Sequence, residues 1–251
     1  MGSEHATSTE AKKASQKSTV SRGGKGLLFL RDILVIILVA ILVSFLVKTF
    51  LVRSFYIPSG SMRQTLVEND RILVDELTPR FGAYSRGDVV VFRDPGGWLN
   101  PVPKPDQHPI AQATEWALSL VGLAAPDSDE HLVKRVIGTP GDHVVCCDDA
   151  GRITVNGTAI DETLYINPQA GQSRLEEVSF DVVVPDDSLW VLGDNRGHSQ
   201  DSRFHIDEPG GGFVPISAVV GRAFLITWPL SRFGPIDSHE EIFQGVLEES
   251  D

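Results

Sequence analysis

Residues 33–52 are almost wholly apolar, interrupted only by Ser44, Lys48 and Thr49, and they restrict the chain more than any other stretch. A bilayer span needs about 20 mostly apolar residues. This run supplies that length if the Lys48 ammonium reaches the interface on its apolar stem, with Arg31 and Asp32 at the other edge. A cleavable export signal is the alternative, but Lys48-Thr49-Phe50-Leu51-Val52-Arg53 offers no small-x-small cleavage site. The reading is a single transmembrane anchor over 27–53. Lys12, Lys13, Lys17, Arg22, Lys25 and Arg31 lead into the apolar run, against Glu4 and Glu10. That basic flank predicts a cytoplasmic N-terminus and an extracytoplasmic remainder. Residues 1–26, polar and rich in Ser, Lys and Gly, are expected to be disordered. No later stretch is long and apolar enough to cross back.

The 251 residues leave room behind the anchor for one large β domain or two small ones. A net charge of −12 argues against nucleic acid as a partner, which requires a basic face. Cys146 and Cys147 are adjacent, a spacing that rarely meets disulfide geometry, so no stapled framework is expected. There is no CxxC or His-rich spacing, and neither a metal nor any other cofactor is expected.

Downstream, strand and turn signals alternate. Residues 71–74, 89–92, 132–138, 143–147, 152–155, 158–160, 178–184, 189–192 and 219–228 read as strands, and Asn156-Gly157 is a hairpin turn signal. Residues 95–131 break the pattern with a Pro-rich loop and a helical spacing over 110–123, an insertion. Residues 143–185 form a small accessory β subdomain, and 237–251 an acidic, solvated tail. The expected fold is therefore mainly β: one N-terminal transmembrane helix, then an extracytoplasmic domain of antiparallel sheets over 54–236.

Chemistry enters at Ile57-Pro58-Ser59-Gly60-Ser61-Met62-Arg63-Gln64-Thr65-Leu66. Two serines flank a glycine, so a hydroxyl can sit on a bend where backbone crowds least, and Pro58 stiffens the entry. The same residues also read as an ordinary Pro-Ser-Gly turn. Serine is a weak nucleophile until a base takes its proton. His198 and His205 lie near Asp201 and Asp207, which leaves a Ser-His-Asp triad open. Lys134 is the rival base. Strand alternation sends Lys134 and Arg135 to opposite faces, so one of them should point inward. Burial lowers a lysine pKa by up to several units, and the neutral amine then accepts a serine proton, which arginine cannot do. From that strand alone, an exposed edge lysine that discourages aggregation is the plainer reading.

Three stretches together change the balance. Pro58-Ser59-Gly60-Ser61-Met62, Lys134-Arg135-Val136, and Gly193-Asp194-Asn195-Arg196 followed by Ser199, Asp201, Ser202 and Arg203 resemble bacterial type I signal peptidases. Their order behind an anchor fits, as does Arg86-Gly87-Asp88 before a valine-rich strand. The resemblance covers the anchor and most of 54–229. It implies a membrane-anchored serine endopeptidase that cleaves signal peptides from exported preproteins after a small-x-small motif, at the outer face of the plasma membrane. Its implied partners are the signal peptide and the lipid bilayer. By position, Ser61 is implied as nucleophile, Lys134 as general base, and Ser59 with the Ser61 amide as oxyanion hole. Ser199 is implied to orient the lysine, and Asp201 with Arg203 to brace the site, Arg135 belonging to the same network. Phe55, Ile57, Met62 and Val133 are implied to line shallow pockets beside an extended substrate. One departure is visible: Gln64 stands where the family usually has proline.

Two other classes remain as rivals at this stage. One is a catalytically silent relative, an anchored β domain that binds exported chains. The other is a self-cleaving Ser-Lys repressor, which carries an N-terminal DNA-binding domain where this chain has its anchor.

Overall fold

The computed structural model describes residues 22–50, 52–77, 82–99, 131–166 and 178–246. The expected disorder of 1–21, most of the 95–131 insertion and its helical piece at 110–123 lie outside the described residues.

Helix α1 spans Arg22–Phe50, about 43 Å at 1.5 Å per residue. It starts inside the segment expected to be disordered. Its described side chains, at 29–43, are all exposed, including Leu34, Ile36, Leu38 and Ile41, and Arg31 pairs with Asp32 at 3.0 Å. Among the described residues no helix is long and apolar enough to cross a membrane; the described side chains of α1 fall short of the roughly 20 that a span needs. The helix ends at Phe50. Val52 and Arg53, expected at the end of the anchor, are instead extended, because they pair across a strand ladder with Asp75 and Val74.

The rest is antiparallel β structure. Strands β1 (Val52–Tyr56), β2 (Arg71–Asp75), β3 (Val89–Arg93) and β4 (His131–Gly138) come first. The short strands β5 (His143–Cys146), β6 (Ile153–Val155), β7 (Thr158–Ala159) and β8 (Phe180–Val183) follow. Last are β9 (Ser188–Leu192), β10 (Val214–Pro215), β11 (Val219–Trp228) and β12 (Gly234–Pro235). An eight-stranded sheet has the order β1-β2-β11-β3-β4-β9-β10, with β12 on β11, and a four-stranded accessory sheet has the order β7-β6-β5-β8. The Asn156-Gly157 turn has φ of 50° and 76° at its two residues, the double positive φ of a two-residue hairpin.

Strand β3 reads as a continuous apolar run because both of its faces are covered. Val89 and Val91 join Phe55, Ile57, Met62 and Leu66 in one cluster. Val90 and Phe92 join Leu132, Val136 and Leu189 in another, as period-two alternation requires. The accessory sheet contributes Val144, Ile153 and Phe180 to a third cluster, shared with Ile137, Trp190 and Leu192 of β4 and β9.

One expectation is corrected here. The acidic tail is not fully solvated, since Phe243 and Val246 are buried in the accessory cluster and Ile242 packs against it. Burying a side chain such as Phe is worth about 2–3 kcal/mol, while Glu240 and Glu241 in the same short turn stay exposed. Cys146 and Cys147 are joined sulfur to sulfur. This link joins adjacent residues and ties no distant segments together, so no stapled framework exists among the described residues and packing holds the fold.

Candidate active site

The nucleophile turn is pinned at its entry. The Ile57 amide donates to the Asp70 carbonyl and the Asn69 amide donates to the Ile57 carbonyl, both at 3.0 Å. The turn closes through Arg63 N–H to the Gly60 carbonyl at 3.1 Å and Leu66 N–H to the Met62 carbonyl at 2.8 Å. Met62 and Leu66 are buried in the cluster behind it, which leaves Ser61 half-buried at its surface. A second segment grips the same backbone: Asn195 N–H donates to the Ser61 carbonyl at 3.0 Å, and Asn195 Nδ2 donates to the Gly60 carbonyl at 2.8 Å. Residue 193 must be glycine here, because a Cβ would strike the Ser199 side chain and lie 2.6 Å from the Ser61 carbonyl oxygen. Gln64 has φ of 112°, which proline, fixed near −65°, cannot adopt. A positive φ is also unfavourable for glutamine, so the backbone here excludes proline without favouring Gln64.

Lys134 lies on β4 between β3 and β9. Its amine is 2.9 Å from Ser61 Oγ and 3.1 Å from the Val133 carbonyl. Burial pushes the amine down from 10.5 to about 8, against the upward pull of Asp201 and Asp194, while Arg203 adds to the lowering. The expectation that only one of Lys134 and Arg135 turns inward is corrected. They are 3% and 0% exposed, because the sheet is covered on both faces. The Ser61 hydroxyl is met by the lysine and not by the histidines considered for a triad. His198 is exposed, while His205 pairs with Glu208 at 2.8 Å and stacks on Trp98 with centroids 4.3 Å apart.

Asp201 and Arg203 form a fully buried two-point pair at 2.8 and 2.9 Å. Burial opposes the Asp201 charge, but the Arg203 contacts and the Gly193 amide hold its pKa below the usual carboxylate range. Arg135 does not join this pair directly. Its fork meets both oxygens of Asp194 at 2.9 Å, and its remaining nitrogen donates to the Gly87 and Asp237 carbonyls at 2.8 and 3.0 Å. Thr65 donates to the same Asp194 carboxylate. Ser199 is buried, yet its hydroxyl makes no hydrogen bond, so the expected bond to the lysine is not made in this structure. Ser59 is exposed, with Oγ 3.5 Å from Ser61 Oγ. Phe55, Ile57 and Met62 are brought together with Val133, but the first three are core residues and only Val133 is half-buried.

Sequence reasoning assigned no role to Asp194, Asn195, Thr65, Glu162, Tyr165 or Arg196. Asp194, Asn195 and Arg196 stand inside one quoted motif and Thr65 inside the nucleophile stretch, which was the available signal. Glu162 has none, being one acid in a loop of an accessory sheet. At the surface, Asp237, His239 and Glu241 bring one ligand atom each within 4.8 Å of one another, an arrangement exposed acids adopt without an ion.

Residues 30–228 match the family model described as Signal peptidase, peptidase S26. The chain belongs to the signal peptidase family. Signal peptidase I of Mycobacterium tuberculosis is 40% identical to it over 228 residues, which covers 83% of this chain and 76% of that one. The probable signal peptidase I of Mycobacterium leprae is 38% identical over 232 residues, covering 81% and 78%. A crystal structure of a signal peptidase I from Enterococcus faecalis covers 55% of this chain and 95% of its own at 22% identity, with a TM-score of 0.31. As a member of the signal peptidase family, the chain is a serine peptidase, a hydrolase of peptide bonds.

Proposed function

We propose that this peptidase removes signal peptides from exported preproteins, with Ser61 as nucleophile and Lys134 as general base. The observation that carries the reading is a buried lysine amine 2.9 Å from a serine hydroxyl. An amine with its pKa lowered to about 8 has a neutral fraction near neutral pH and can accept the hydroxyl proton. Ser61 Oγ then attacks the scissile carbonyl carbon. The Ser59 hydroxyl and the Ser61 amide stabilise the oxyanion, a charge that exists only on the reaction path. The C–N bond breaks as the Lys134 ammonium returns its proton to the leaving amine. Water, deprotonated by the same lysine, releases the acyl group. Ser199, whose buried hydroxyl has no hydrogen-bond partner in the structure, orients the amine. Asp201, Arg203 and Arg135 brace the loop and strand that carry these groups. No step calls on a metal or other cofactor.

The substrate adds as an extended strand beside 57–59, which continue from β1 at the end of the sheet order. Phe55, Ile57 and Met62 are packed tightly and Val133 beside them is half-buried, which suits small side chains and cleavage after a small-x-small sequence. The helical part of the expected anchor, residues 27–50, holds the enzyme as a single pass in the plasma membrane, with the basic flank cytoplasmic and the β domain extracytoplasmic. The exposed apolar side chains of α1 support this. The substrate's apolar segment lies in the same bilayer, and confinement raises the effective concentration of the pair. A net charge of −12 supports the absence of nucleic acid among its partners.

The test is to incubate the full chain in lipid vesicles with a preprotein and to sequence the new N-terminus. A single cut after a small-x-small motif is expected. Full cleavage by Lys134→Ala would refute the dyad, and binding without any cut would favour the silent relative.

A further inference from the structure

We propose that Glu162, in the turn that follows strand β7 of the accessory sheet, is a positioning residue for the Ser61–Lys134 dyad, acting through Arg196 on the nucleophile and through Tyr165 on the strand of the base. This rests on the dyad reading above and adds to it a role for a part of the fold that touches neither reacting group.

The turn Glu162–Leu164 follows β7 and is capped by Asp161, whose carboxylate accepts from the Thr163 amide. Glu162 is 6% exposed. Its two oxygens receive both terminal nitrogens of Arg196, one of them at 2.6 Å, and the Tyr165 hydroxyl at 2.6 Å. The carboxylate therefore has three donors and almost no water.

From there two short paths lead to the dyad. Along the first, Arg196 Nε donates to the Gly193 carbonyl at 3.0 Å. Gly193 opens the loop in which Asn195 holds the Ser61 and Gly60 carbonyls. The Gly193 amide is held by Asp201 at 3.0 Å, so this residue is clamped on both sides of its peptide. Along the second, the Arg135 guanidinium lies 4.3 Å from the centroid of the Tyr165 ring, a cation–π contact. Arg135 is next to Lys134 and bound to Asp194 of the same loop. Burial and the Glu162 charge push the Tyr165 hydroxyl well above its usual pKa, so it stays a donor to that carboxylate. Glu162 is thus the point where both paths meet. A nucleophile and base must stay within a fraction of an ångström of the productive distance, and a misplacement of about 1 Å can cost about 10²-fold in rate.

The test uses the full chain and the preprotein assay, with kcat, KM and the pH dependence of kcat/KM measured for Glu162→Gln, Glu162→Asp and Tyr165→Phe. Glu162→Gln should lower kcat by about 10- to 100-fold with KM within about twofold. Glu162→Asp, which keeps the charge, should recover part of the loss. The pH profile separates positioning from folding. The charges around the Lys134 amine are Asp201, Asp194 and Arg203, and Glu162 is not among them. A loosened loop admits water to the amine, so the midpoint of the rising limb should move above about 8. A merely structural role lowers the folded fraction and leaves the midpoint where it is. Should Glu162→Gln fail to fold, Tyr165→Phe removes one hydroxyl only and decides the matter by the same midpoint. An unmoved midpoint and an unchanged kcat in a folded variant overturn the proposal, as does a loss of rate that tracks the folded fraction alone. A wild-type chain that cuts no preprotein refutes the dyad reading instead, which keeps the two failures distinct.

Discussion

Lys134 and Arg135 are neighbours on β4, and both are buried, but their surroundings shift their pKa values in opposite directions. Arg135 meets a carboxylate with two parallel hydrogen bonds and three backbone carbonyls with its remaining nitrogen. Those contacts outweigh the burial that opposes its charge, so its pKa rises. Lys134 meets one hydroxyl and one carbonyl, and the carboxylates that attract it do not touch it. Burial wins there and the amine gives up its proton near pH 8. The difference teaches that burial alone does not set a charge state. Direct contact with a counter-charge decides it, and a planar fork captures that contact where a point cation held apart from it does not.

The comparison can be broken in several ways. The largest effect is expected from Lys134→Arg, which keeps a cation in place but removes any group able to accept a proton. Its kcat on a preprotein should fall by about 10⁴-fold, with Ser61→Ala equally damaging and the double variant no worse. An active Lys134→Arg enzyme would end the contrast between the two residues. Asp194→Asn should come next. It leaves Arg135 buried without its counter-charge and should cost about 3–5 kcal/mol, read from the denaturant midpoint.

Lys134→Met tests the lysine from the other side. The folded amine has its pKa lowered to about 8 from 10.5, so between those values the unfolded chain binds more protons. Wild-type stability should therefore rise as pH increases through that window, and below about pH 8 the full penalty of burying the charge is present. Methionine removes it, so the variant should be inactive but more stable at pH 7 by up to about 3 kcal/mol, with no rise between those pH values. Wild-type kcat/KM should climb with pH through about 8. The smallest effect belongs to a charged pair in water. Arg63 and Glu68 are 58% and 37% exposed, and Glu68→Gln should leave the unfolding midpoint unchanged within error.

Much of the β domain was legible along the chain. Strand β11 runs from Val219 to Trp228 as its apolar run predicts, and the Asn156-Gly157 hairpin falls between β6 and β7, because alternation and turn chemistry are local properties. The boundary at 50–52 was not legible: Val and Leu continue from helix into strand, and only the ladder with β2 separates them. The tail misled for a related reason. Its acidic residues dominate the composition, while Phe243 and Val246 gain a core only once the accessory sheet exists. Among the site residues, Ser61, Lys134 and Asp194 all stood inside motifs, but that Asp194 pairs with Arg135 was not legible, since the two lie 59 positions apart.

By itself, the order of residues determined the strand pattern, the bend that carries Ser61 and the family to which the chain belongs. These are written in short-range spacing and in motifs read one at a time. The three-dimensional packing alone decided which charges survive and where each side chain stands. It brings an amine to a hydroxyl 73 positions distant, strips water from one cation while giving its neighbour a carboxylate, and places Glu162 behind both. Solvent exclusion and contact between remote segments arise only when the sheets close around the site, and no local stretch of chain encodes them.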